Sequence, residues 1–525
     1  MSMNVTPLIL VVATFVAAGP ASAETRAPLV WTHCGASSTS VTDVATRTEC
    51  ARLIVPRDYA NAEAGTLDLD LVRVTASGAR GEPHDGTLLV EPDDFSEAIQ
   101  QAVPGLAAAW LRGNEGWREL ARRIDIVGLA ARRMDTASGH DCVSATAQVP
   151  RFASLGTDQS FTNLMKAEDL ARAIATACQN DPMQAHIGTR LRVQDMERLR
   201  EALGESTLHL LGIGHGGWVA ARYAERYPQH VGRMVLDGSW DADGSVAEAM
   251  EARIHERGRT VRRAINALVD RPDRYGWGND AAVVTTSLSA LPSRVYSAWI
   301  RQIVSAEDLS AVLSMGRLLE NDASLSVEAL RRALSSMPLA PRDEDDVTVR
   351  GAAERLLVSF DANAADSSLG FGPEASHAAP SLIASVFAGQ CNDGSWGSGP
   401  SYWQGRTRDL RLSWPAGVDN ETFLGMVCSE WRGTLPYTSV PMLDNAPPFL
   451  MVHAEFDEQA PLRNAAMMLQ AHGNARMVVA RGLRAHGVFA RADRPCVAEV
   501  ARRFLAEGEL PDGKLTNCNL PLPTE

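Results

Sequence analysis

The stretch Leu210-Leu211-Gly212-Ile213-Gly214-His215-Gly216-Gly217 carries the spacing most suggestive of chemistry in this chain. Its pattern is that of G-x-S-x-G, a sharp strand-to-helix turn that presents a serine hydroxyl for attack on a carbonyl. Gly212 and Gly216 take the outer places, and Gly214 stands where the serine would be. Glycine makes such a turn readily because it has no Cβ to clash. It offers no hydroxyl, so the turn is either a disarmed nucleophile site or part of a different one. His215, one residue on, is the nearest group with acid–base capacity. It reads first as a partly buried residue behind the turn, and second as an added catalytic group.

A turn of this kind needs a buried strand before it and a helix after it. Leu208-His209-Leu210-Leu211 reads as the strand, within 207–211. The stretch 218–226 reads as the helix, with Val219, Ala220, Tyr223, Ala224 and Tyr227 at three-to-four spacing. Upstream, Thr66–Val74 alternates like a half-buried strand, and Gly86–Val90 and Asp125–Leu129 read as short buried strands. Helical stretches are expected over Leu106–Arg123 and Val193–Leu203, the latter stopped by Gly204. Arg233–Asp237 is the next strand. Apolar strands alternating with helices imply an α/β fold, with a mostly parallel sheet covered on both faces.

From 242 to 385 the period becomes helical (Val246–Val269, Leu309–Leu319, Val327–Leu334), with polar connectors such as Pro341–Asp346. This reads as a helical lid inserted between a first core segment, 24–241, and a last one, 386–525. There Pro448–Val452 and Arg476–Val479 resume the sheet and Ala498–Leu505 closes it. An insertion at this place would cover the ends of the strands, where ligands bind in such sheets.

The chain has 525 residues and a net charge of −14, which argues against nucleic acid and anionic membrane as partners. Residues 1–23 read as a secretory signal. An apolar run from Leu8 to Ala18 precedes Ala21-Ser22-Ala23, and the run is about half the ~20 residues of a spanning helix. Export and an even count of eight cysteines suggest four disulfides, among about a hundred possible connectivities. The cysteines fall into separated pairs, which favours Cys34–Cys50, Cys142–Cys178, Cys391–Cys428 and Cys496–Cys518. Several free buried thiols are the alternative. No C-x-x-C occurs, so neither a zinc ribbon nor a thioredoxin-type site is indicated.

Val55-Pro56-Arg57-Asp58-Tyr59, Arg198–Gly204, Arg233–Gly238 and Cys428-Ser429-Glu430-Trp431 carry a broader likeness. From Ala51 to Cys518 the chain resembles the secreted tripeptidyl-aminopeptidase-like branch of the α/β-hydrolases, relatives of the prolyl aminopeptidases. The resemblance implies a Ser–Asp–His order, with Asp457 as the acid that orients His486 and His486 as the base. It also implies a glycine-rich oxyanion loop near G-G-P-G, where this chain has Glu91-Pro92-Asp93-Asp94-Phe95. Carboxylates there would raise the energy of a developing oxyanion. The family's next loop reads D-P-R-G-x-G-x-S, and in Ala130–Ala137 only Arg132 matches it.

Four functions follow. The first is an exported pseudoenzyme that holds a peptide, small molecule or partner under its lid, with His215, Gly216, Glu91 and Asp93 lining the site. The second is an enzyme using the Asp457–His486 dyad as general base. The third is a metal site of His215, His486 and Asp457. The fourth is a hydrolase with a relocated serine such as Ser239. No cofactor is expected. The space between Gly214 and His486 decides among them, and Phe95 or Met134 filling it would favour a scaffold. Trp240, Trp277, Trp299, Trp396 and Trp403 read as core before pocket wall.

Overall fold

A computed structural model describes residues 28–35, 41–78, 84–93, 99–134, 152, 155, 158–292, 296, 299–322, 325–364, 380–397, 399–405, 419–432, 443–489 and 495–519. The expected signal segment, Asp94, Phe95 and Cys142 lie outside these residues.

The strands are β1 Thr32–His33, β2 Thr48–Pro56, β3 Thr66–Val74, β4 Thr87–Glu91, β5 Asp125–Leu129, β6 Leu208–Ile213, β7 Val231–Asp237, β8 Phe449–Ala454, β9 Ala475–Ala480 and β10 Leu515–Cys518. They form one sheet in the order β1-β2-β3-β5-β4-β6-β7-β8-β9-β10. The pairings of β1 with β2, β2 with β3 and β3 with β5 are antiparallel, and every pairing from β5 to β10 is parallel. β4 and β8 are buried at every residue, as expected of parallel strands covered on both faces. β2, nearer the edge, alternates instead: Ala51, Leu53 and Val55 are buried while Ile54 is exposed.

One apolar core fills each side of the sheet. On one side Leu89, Leu210 and Leu236 pack with Ile174, Met196, Trp218 and Tyr223. On the other, Leu88, Leu211 and Val235 pack with Val103, Trp110, Leu120 and Phe504. A third core lies wholly within 261–357, built by Leu309, Val312, Trp299, Leu330 and Leu356. The helix Val246–Val269 opens this helical region with a capping box between Ser245 and Glu248.

Several elements differ from expectation. Leu106–Arg123 is two helices, Ile99–Arg112 and Glu115–Arg123, because the Asn114 side chain accepts from the Trp117 N–H and starts a new helix. Pro341–Asp346 is only partly connector. Asp343–Asp346 form the acidic first turn of the helix Asp343–Ala364, where carboxylates meet the positive helix end. β2 and β10 were not anticipated as strands. Trp240, Trp299, Trp396 and Trp403 are all buried, and Trp277 is half-buried with Nε1 donating to Ser310.

Candidate active site

The chain passes from β4 to β5 on one side and returns to β6 on the other, so β4 and β6 flank a switch point in strand order. Crevices for ligands open at the carboxyl ends of strands at such points. The loop Glu91-Pro92-Asp93 leaves β4 there, and Gly214 alone separates β6 from the helix His215–Arg226. Gly214 has φ +54° and ψ −119°, a conformation side chains rarely adopt, and its N–H donates to the Asp237 carbonyl. The elbow is therefore built although its nucleophile is absent. Its other glycines are needed sterically. A Cβ on Gly212 would lie 2.6 Å from Gly217 Cα, and one on Gly216 would strike the Glu91 and Pro92 carbonyl oxygens.

The residues expected as acid and base follow β8 and β9. Asp457 follows β8. Its Oδ1 accepts from the Gln459 and Ala460 N–H groups at 2.9 and 3.0 Å, which leaves Oδ2 to accept from His486 Nδ1 at 2.8 Å. His486 follows β9. The residues after it are pinned because Asp237, at the end of β7, accepts from the Val488 and Phe489 N–H groups at 2.8 Å. Gly238 has φ +57°, and a Cβ there would press within 2.9 Å of Asp457 Oδ2.

Met134 does not occupy the space between Gly214 and His486. Met134 belongs to the first core, and Phe95 is not among the described residues. Asp93 occupies it. A Cβ built on Gly214 would overlap Asp93 Oδ1, would lie 2.5 Å from Asp93 Cγ, and would sit 2.7 Å from His486 Nε2. The carboxylate thus stands where a serine side chain would. Oδ1 accepts from the His215 N–H at 2.9 Å, the donor that follows the nucleophile and serves the oxyanion in such sites. Oδ2 lies 3.4 Å from His486 Nε2, an ion-pair contact longer than a well-formed hydrogen bond.

Charge follows from this geometry. Burial alone would lower the pKa of His486, but the Asp457 and Asp93 carboxylates outweigh it and raise it to about 10. Burial would raise Asp93, but His486 and the His215 N–H outweigh it and lower it to about 2. At neutral pH the centre is an imidazolium between two carboxylates.

Other expected residues have different places. Glu91 does not face the centre. It is buried at the end of β4, and both its oxygens accept from Arg192, at 2.8 and 2.9 Å. A buried carboxylate needs such a partner. The His215 ring is buried between Trp218 and Trp240, with ring centroids 5.7 and 4.9 Å away, which accounts for its presence without a catalytic task. Ser239 is buried and its Oγ donates to the Trp240 carbonyl at 2.8 Å. Among the described residues no grouping of three or more His, Cys, Asp or Glu side chains could hold a metal ion. Arg132 is structural: it forms a bidentate pair with Asp195 at 2.7 Å and donates to the Pro56 and Arg57 carbonyls. Tyr59 donates to the same Asp195 carboxylate. The Val55–Tyr59 segment is thus one side of a buried clamp.

Cys34–Cys50, Cys391–Cys428 and Cys496–Cys518 are disulfides. Cys178 is buried and disulfide-bonded, and the expected partner Cys142 lies outside the described residues.

An elbow after β6, an acid after β8 and a histidine after β9 of one mostly parallel sheet define an α/β-hydrolase. Residues 191–307 match the family described as alpha/beta hydrolase fold, and 416–518 match the one described as TAP-like protein. These two matches, with the relatives below, support a TAP-like branch of the α/β-hydrolases. It is 24% identical to a tripeptidyl aminopeptidase of Streptomyces lividans over 94% of this chain and 87% of that one. It is 28% identical to the serine protease Hip1 of Mycobacterium tuberculosis over 42% of this chain and 41% of that one. Among solved structures, a proline iminopeptidase of Mycobacterium smegmatis matches with a TM-score of 0.37 and 14% identity, over 86% of this chain and 97% of that one.

Proposed function

We propose that this chain is an exported pseudo-peptidase, a TAP-like α/β-hydrolase that holds a peptide or small-molecule ligand beneath its helical region without serine-type cleavage. One observation carries the reading: the Asp93 carboxylate fills the seat of the missing serine and engages both the His215 N–H and His486. Three steps of acyl transfer are thereby opposed. Gly214 supplies no hydroxyl. The oxyanion donor is already satisfied by an anion. His486, protonated at neutral pH, has no free lone pair to act as general base.

The same argument weighs against the dyad as a general base in the resting protein. Likeness to aminopeptidases supports a peptide-like ligand, and disulfides suit an oxidising compartment. Among the described residues no helix is long and apolar enough to cross a membrane.

The test is treatment of the native protein with a fluorophosphonate and with chromogenic tripeptide substrates. The expected result is no covalent label and no turnover above buffer. Stoichiometric labelling of any serine, or turnover, sinks the reading.

A further inference from the structure

We propose that a second cavity, behind the loop that carries Asp457, binds a small polyhydroxylated primary amine, such as a hexosamine with a free amino group. The site is separate from the centre, since none of Gly214, Asp93, Asp457 and His486 lines it. It stands whether or not the serine route is closed.

The cavity is about 320 Å3 and lies between the start of the helix Val246–Val269 and the helix Leu462–Ala471. Ligand cavities run from ~300 to 1,000 Å3, so this one suits a ligand of about one sugar ring.

Charge selects a cation. Asp241, Asp243 and Glu248 line the cavity, and no lysine or arginine does. Two of the three carboxylates are engaged. Asp243 Oδ2 lies 3.1 Å from His472 Nε2, and Glu248 Oε2 accepts from the Ser245 N–H and hydroxyl. Asp241 is half-buried, and its Oδ1 accepts only from the Asp243 N–H at 3.1 Å. Burial holds the Asp241 carboxyl above its usual range, and the Asp243 carboxylate adds to the rise. A cation beside Asp241 offsets the cost of burying its charge. Among the described residues these carboxylates form no group that could hold a metal ion, which leaves an organic ammonium.

The neutral polar groups select hydroxyls. Trp240 forms one wall and is 5% exposed, and its indole N–H has no acceptor among the described residues. A buried donor without an acceptor is costly, and a ligand oxygen relieves it. A simple alkylammonium cannot, because its N–H groups only donate. The Gln459 and Asn464 side chains also line the cavity, and neither amide is bonded to another described residue. Each amide both donates and accepts, as a hydroxyl does. Ala252, Pro461 and Met467 supply an apolar surface for the C–H face of a ring.

The probe is glucosamine, titrated calorimetrically into the native protein at neutral pH. N-acetylglucosamine and glucose are the uncharged controls, and 1-aminobutane is the charged control without hydroxyls. We expect saturable binding of glucosamine at one site, with each control at least about 10-fold weaker. Asp241→Asn keeps the oxygen that accepts from the Asp243 N–H, and it is expected to weaken glucosamine about 10-fold with the melting curve showing a folded protein. A chitosan dimer separates two sources of the same chemistry: affinity equal to that of glucosamine points to a glycan end, and weaker affinity to the free sugar. No saturable binding of glucosamine, equal binding of 1-aminobutane, or undiminished binding in Asp241→Asn overturns the proposal. The control series needs no variant. Phosphonate labelling bears on the centre alone, so failure here and failure of the pseudo-peptidase reading are distinct.

Discussion

One carboxylate determines the state of the whole centre. Changing Gly214 to serine alone places a side chain into the Asp93 carboxylate, so that variant is expected to stay unlabelled by fluorophosphonate. Gly214→Ser combined with Asp93→Gly frees both the seat and the His215 N–H, and labelling is expected to appear only there. Labelling of the single variant would show that Asp93 moves aside freely. The same trio governs pH behaviour. His486 is raised from 6.5 to about 10, so its contribution to stability is complete below pH 6.5 and is lost as pH rises toward 10. Asp93 is lowered from 3.8 to about 2, so its contribution is complete above pH 3.8 and is lost as pH falls toward 2. Melting temperature against pH should fall on the alkaline side in the native protein and fall less in Asp93→Asn. A nuclear magnetic resonance titration should place the His486 midpoint well above that of an ordinary histidine, and Asp93→Asn should lower it.

At the scale of elements, loops at the strand ends are held by buried polar anchors. Arg132 joins the segment after β5 to the end of β2 and to Asp195 on the helix Thr189–Leu203. Arg132→Ala strands a buried carboxylate and is expected to cost about 3–5 kcal/mol in urea unfolding, the range for breaking a buried pair. A loss below ~1 kcal/mol, typical of exposed pairs, would show that the clamp is not structural. Much of this level was legible in the chain. The elbow frame, the strands before Asp457 and His486, and the helix Val246–Val269 follow from apolar period and spacing. β10 was not legible, because Leu515-Thr516-Asn517-Cys518 is short and polar and owes its place to pairing with β9. Glu91 was misread because sequence shows a carboxylate beside an expected oxyanion loop but not the Arg192 that claims it from 101 residues away. Asp93 was legible as an acid near the site. Its direction, into the serine seat, depends on the path of the β4 loop.

At the scale of the molecule, the helical region and the sheet are joined next to Asp457. Glu458 follows Asp457 and accepts from Arg257 at 2.7 Å and from Arg484 at 2.9 Å, which ties the helix Val246–Val269 to the loop carrying His486. Arg257 is nearly buried, so Glu458→Gln leaves its charge short of a partner. That variant is expected to raise amide hydrogen exchange along 246–269 while leaving β4 and β6 protected. Unchanged exchange there would show that apolar packing alone holds the region in place.

The bridge between Cys391 and Cys428 has a practical consequence. It closes a covalent ring of chain spanning 37 positions between the helical region and the last strands. A protease that nicks the backbone once inside this ring severs the polypeptide without separating its halves. The nicked protein would migrate as a single species on a gel until a reducing agent is added, and only then split into two. Intact size without reductant is therefore no proof of an unbroken chain.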